Sequence, residues 1–63
     1  MSNSIQNIYT YKDVARRYEV HIKTVHRWVS AGMIGHLKIG RAVRFTEEIL
    51  SAFEKTNYLK PIA

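Results

Sequence analysis

Lys23, Thr24, His26 and Arg27 crowd into five consecutive positions, with His21 just before them and Lys38, Arg41 and Arg44 further on. These are hydrogen-bond donors suited to an anion. A guanidinium offers paired donors that match a phosphate or a guanine edge, an ammonium is a point charge, and hydroxyl and imidazole groups add single bonds. Between Val20 and Phe45 there is no Asp or Glu, although five cations and all three histidines fall there. The chemistry such a set can do is to hold a polyanion and read its edges, and it includes no bond making. Catalysis needs a nucleophile or an acid–base pair held in a pocket. Here Asp13, Glu47 and Glu48 stand where helix N-termini are expected, which the helix dipole explains without catalysis. His21 and His26 lie about 140° apart around a helix and cannot share a metal ion. Cysteine is absent, so disulfides and thiolate sites are excluded. A chain this short has little room for a pocket of about 300 Å³. The expectation is a protein that is not an enzyme and carries no cofactor or metal.

The elements that position these residues must come from a small core. Sixty-three residues make one domain, and 46% hydrophobic with 24% charged residues is an ordinary globular balance. A net charge of +5 suits nucleic acid or an anionic membrane surface. No apolar run approaches the roughly 20 residues of a membrane span. Met1-Ser2-Asn3-Ser4 lacks the pattern of a secretory signal, so a cytoplasmic location is expected. Residues 1–8 read as a flexible lead-in, 9–57 as the domain and 58–63 as a tail.

Thr10 and Asp13 form a near capping box that opens a first helix over Tyr11 to Tyr18. Glu19-Val20-His21 interrupts it, a connection of helix-turn-helix length in which Val20 plugs the gap between helices. The second helix runs from Ile22 to Ala31. Ile22, Val25, Trp28 and Val29 share one sector and Lys23, His26, Arg27 and Ser30 the opposite one, with Thr24 between. Gly32 ends it in a left-handed conformation, and Met33 or Ile34 closes the core. Leu37-Lys38-Ile39 and Val43-Arg44-Phe45 alternate around Gly40-Arg41-Ala42 and read as a hairpin. A three-residue loop sets Leu37 opposite Phe45 and Ile39 opposite Val43 inside, with Lys38 opposite Arg44 outside. A two-residue loop, with Leu37 across from Arg44, is rejected at this point because it separates the apolar faces. Thr46 caps a last helix that begins with Glu47 and Glu48, presents Ile49, Leu50 and Phe53 to the core, and ends near Thr56 or Asn57.

Tyr9-Thr10, Asp13-Val14-Ala15, Val20, Thr24-Val25, Arg27-Trp28-Val29, Gly32, Ile34, Gly40-Arg41, Arg44-Phe45 and Phe53 resemble the excisionase and MerR-like winged-helix group. The resemblance spans Tyr9 to Phe53. It implies an α+β winged helix-turn-helix: two N-terminal helices, a β-hairpin wing and a C-terminal helix. It further implies duplex DNA binding, with the second helix in the major groove and the wing near the minor groove or backbone. Two departures stand out: His21 replaces the usual Ser-like cap, and Tyr18 replaces a commoner Leu.

On that basis the DNA contacts expected are His21, Lys23, Thr24, His26 and Arg27 from the second helix and its cap. Lys38, Arg41 and Arg44 are expected from the wing, and Arg16 and Arg17 from the first helix, one of which could instead pair with Asp13 or Glu19. Tyr9 and Tyr11 could bond phosphate, with core packing the simpler role. The function implied is that of a recombination directionality factor that binds and bends attachment-site DNA. The alternatives are a small transcriptional regulator of a phage or mobile element, and a protein-interaction module acting on a recombinase through Tyr11, Tyr58 or residues 59–63. The partners are double-stranded DNA, an integrase or recombinase, and further copies of the chain bound cooperatively; no membrane is expected.

Overall fold

A computed structural model describes residues 8–58. Its elements are β1 (Ile8–Tyr9), α1 (Tyr11–Tyr18), α2 (Ile22–Ser30), β2 (Leu37–Ile39), β3 (Ala42–Thr46) and α3 (Glu47–Thr56). Three helices and a three-stranded antiparallel sheet, ordered β1-β3-β2, make a winged helix-turn-helix whose wing is the β2–β3 hairpin. Residues 1–7 of the expected lead-in and 59–63 of the expected tail lie outside the described residues. Ile8, assigned to the lead-in, belongs to β1 and pairs with Thr46, while Tyr9 pairs with Phe45. This strand is too short for any alternation to announce it.

The helix ends follow from local hydrogen bonding. The Thr10 hydroxyl accepts from the Asp13 N–H at 3.1 Å, and the Asp13 carboxylate accepts from the Thr10 N–H at 3.0 Å, a complete capping box. That backbone N–H is the main reason the Asp13 carboxyl titrates below its ordinary range. Glu19 closes α1 at φ 56°, and the Val20 N–H turns back to the Ala15 carbonyl at 2.9 Å. The tight reversal before α2 therefore rests on a left-handed residue that is not glycine. After α2, Gly32 at φ +72° donates to the Val29 carbonyl and Met33 to that of Trp28, both bonds of a Schellman ending. Ile34 then enters the core while Met33 stays half exposed. The Thr46 hydroxyl caps α3 by accepting from the Ile49 N–H at 3.2 Å.

Val14, Ala15, Val25, Ile34, Phe45 and Leu50 form the buried core, with α1 packed on α2 and β3 held between α1 and α3. The hairpin departs from expectation. Leu37 pairs with Arg44, Lys38 with Val43 and Ile39 with Ala42, around the two-residue turn Gly40-Arg41. Gly40 at φ +63° followed by a residue of negative φ suits the turn whose twist matches its strands. Moving the register by one residue flips β2 relative to β3. Phe45 is fully buried with Val43 beside it, but Leu37 and Ile39 face outward, 40% and 60% exposed. Lys38 and Arg44 are not cross-strand partners, so the expected cation pair does not exist. The chemistry of the turn prevails over the apolar alternation because Ile34, Tyr9 and the helices already fill the inner face.

Candidate nucleic-acid interface

Helix α2 is fixed at three points. Val25 is fully buried in the core. Trp28, half buried, packs on the Phe53 ring with centroids 4.9 Å apart and meets the edge of Tyr18 at 6.0 Å. His26 stacks on Tyr11 at 3.8 Å with rings only 14° from parallel, and Tyr11 in turn sets its edge against Phe45. One tyrosine ring therefore joins the outward face of α2 to the strand that carries Arg44. The ordered stack was not legible in the sequence, where Tyr11 and His26 stand fifteen positions apart.

With those anchors, Lys23, His26, Arg27 and Ser30 are exposed and Thr24 sits at the margin, as the helical spacing indicates. His21 is the cap of α2: its Nδ1 accepts the Lys23 N–H at 3.0 Å, which leaves Nε2 as the ring's donor. The residue that replaces the usual Ser-like cap thus does cap the helix, through Nδ1. On the wing Lys38 and Arg41 are exposed, whereas Arg44 is half buried and donates from Nη1 to the Val43 carbonyl at 2.8 Å. Among the described residues, no carboxylate lies within ion-pair distance of Arg16, Lys23, Arg27, Lys38, Arg41 or Arg44.

Arg17 is different, because carboxylates already engage it. Its guanidinium makes two parallel bonds to Glu47, at 3.1 and 3.0 Å, and a third to Glu54 at 3.1 Å. Tyr9 donates to Glu47 at 2.8 Å, Tyr18 donates to Glu54 at 2.6 Å, and the guanidinium lies 5.7 Å from both tyrosine rings. Neither Asp13 nor Glu19, the partners considered from sequence, takes part. The network ties β1 and α1 to α3 and neutralises Arg17. Tyr18 is accordingly more than added core volume. Burial first, and the Glu54 bond second, push its hydroxyl up to about 12.

The same network sets an acid limit. The Arg17 bond holds Glu47 below its ordinary value, and the Tyr18 bond followed by that of Arg17 does so for Glu54. Groups with depressed folded values contribute stability above the ordinary carboxylate range and lose it as pH falls through the folded values. The melting temperature should stay level from about pH 7 to about pH 5 and then fall. Arg17→Met should melt lower at neutral pH, with its deficit shrinking towards zero in acid. Circular-dichroism melts across that range check this, and a deficit independent of pH would remove the carboxylates from the account.

Two shallow hollows, of about 240 and 350 Å³, lie along α3, so the expectation of no room for about 300 Å³ does not hold. The first is lined by residues of α3 and the α2–β2 loop and the second by residues of α3 alone, and neither lining includes an α2 cation. No helix among the described residues is long and apolar enough to cross a membrane.

A family model described as a helix-turn-helix domain matches residues 8–58. The chain belongs to this helix-turn-helix family. The family is one of small excisionase-like DNA-binding domains, and DNA binding follows for this member. No curated protein and no solved structure matches the chain. In helix-turn-helix terms α1 and α2 are the paired helices, Glu19-Val20-His21 is their turn, and α2 holds the place of the recognition helix.

Proposed function

We infer that this helix-turn-helix protein binds duplex DNA sequence-specifically and acts as an excisionase-like directionality factor, bending attachment-site DNA for a recombinase. The observation that carries the reading is the acid-free exposed face of α2, together with wing cations that no described carboxylate neutralises. Capture is electrostatic, through release of counterions from neutralised phosphates. Arg27 reads a guanine edge, Lys23 and Thr24 hold phosphate, and His21 offers Nε2 to the backbone. His26 contacts sugar or phosphate while braced by Tyr11. Lys38, Arg41 and Arg44 follow the backbone beside the wing, and Arg16 reaches phosphate from α1. The excisionase-like character of the family supports the recombination role over a compact transcriptional regulator, which would use the same surface. Further copies of the chain on tandem sites, and the recombinase itself, are the partners of this reading.

Selection from a random duplex library tests it, followed by binding of variants to a selected and a mixed duplex. Lys23→Ala should weaken both alike. Arg27→Ala should cost about 1–3 kcal/mol on the selected duplex, roughly 5- to 150-fold, and less on the mixed one. Equal losses on both would take base reading away from Arg27, and failure to enrich any sequence would overturn specificity altogether. Stimulated excision in an assay with a candidate recombinase and a selected site checks the recombination role.

A further inference from the structure

The outward side of the wing is apolar where a solvated hairpin has no use for it. Ile39 is 60% exposed beside the Gly40-Arg41 turn, and Leu37, one pleat behind on the same face, is 40% exposed. Among the described residues six hydrophobic side chains are buried, so withholding two large aliphatic side chains from that core is a real loss. A three-residue loop would have turned both towards the face that carries Phe45. The Gly40 turn presents them instead, with Arg44 directly across from Leu37 and Arg41 at the tip.

An occupant of this face must offer apolar surface bordered by negative charge. Acid-free surroundings argue against a second copy, which would bring Arg44 and Arg41 against their like. The minor groove of duplex DNA has the required pattern: deoxyribose walls and base-step edges between two rows of phosphates. Tyr11 links His26 of α2 to Phe45 on the inner face of β3, the strand whose outer face carries Arg44 across from Leu37.

We propose that Ile39, backed by Leu37, is an apolar wedge that enters the minor groove, loosens a base step and generates the bend, while Arg41 and Arg44 hold the flanking phosphates. The proposal rests on the DNA-binding reading above and adds to it the residues that deform the duplex. Wedging by aliphatic side chains is a general means of kinking DNA from the minor groove.

The test uses the full chain and a duplex selected by it, end-labelled for energy transfer and carrying 2-aminopurine at successive positions outside the α2 footprint. The wild-type chain should shorten the end-to-end distance and brighten 2-aminopurine at one step. Ile39→Ala, at an exposed site, should keep the wild-type melting temperature. It should abolish the brightening, reduce the bend by more than half and lower affinity about ten-fold, with the salt slope unchanged. Arg41→Ala should instead lower that slope by about one. Ile39→Leu should restore bend and brightening. Unchanged bend and emission in Ile39→Ala would overturn the wedge while leaving DNA binding in place. So would a DNA-free dimer of the wild-type chain that Ile39→Ala dissociates. Absence of any duplex binding by the wild-type chain would remove the DNA-binding reading as well.

Discussion

Raising salt from about 50 to about 200 mM should weaken binding to duplex DNA about 10³-fold. Of the described cations without a carboxylate partner, the six assigned to DNA are Arg16, Lys23, Arg27, Lys38, Arg41 and Arg44. If the five other than the base-reading Arg27 each neutralise about one phosphate, the logarithm of the binding constant falls with the logarithm of salt at a slope of about −4.5. Arg17 is left out because Glu47 and Glu54 already neutralise it. Arg17→Met should therefore leave the slope alone, whereas Lys23→Ala should reduce it by about one. Fluorescence anisotropy with a labelled duplex at four or more salt concentrations measures this. A slope shallower than about −2 would mean that most of these side chains do not reach phosphate, and the interface would have to be redrawn.

The contrast between Arg17 and its neighbour Arg16 bears on what a sequence can reveal. Local hydrogen bonding was legible: Thr10 with Asp13, Thr46 and Gly32 all end helices as their types and positions indicate. The partition of α2 into apolar and cationic sectors was legible too, since it depends only on helical geometry. What was hidden depends on distant partners. Arg17 meets carboxylates 30 and 37 positions away, and nothing in its own neighbourhood says so. Glu47 was read as a dipole partner of α3, which its place allows, but the same side chain also receives Tyr9 and Arg17. The hairpin register failed for a different reason. Apolar alternation and turn chemistry disagreed by one residue, and the assumption that every aliphatic side chain goes inward decided for the wrong loop. Gly40, with its positive φ, was the overlooked signal.

These hidden contacts also sort the charges. Glu47 and Glu54 gather on Arg17, and α1 is bound to α3 by the acids that would otherwise oppose a polyanion. The cations of α2 and the wing are left without such company. The clamp joins α1 to α3 and offsets one of the two carboxylate charges with Arg17.

Phe45→Ala should leave the free chain unfolded at 25 °C. Phe45 is fully buried, pairs with Tyr9 across β1 and β3, and receives the edge of Tyr11. Truncating a buried Phe costs about 3–5 kcal/mol. A disulfide-free domain of this size has only about 3–5 kcal/mol in total, so the substitution removes most or all of it. Far-ultraviolet circular dichroism should show the helical signal lost and no cooperative melt. Phe45→Leu, which retains much of the side-chain volume, should stay folded with a lower melting temperature. Because DNA binds the folded form, excess duplex should draw the Ala variant back: at about 1,000 times the intrinsic dissociation constant the gain is about 4 kcal/mol, comparable with the loss. Recovery of helical signal on adding duplex would show that DNA binds the folded form and not the unfolded chain. A Phe45→Ala chain that melts cooperatively within a few degrees of the wild type would show that β3 is not the centre of this core.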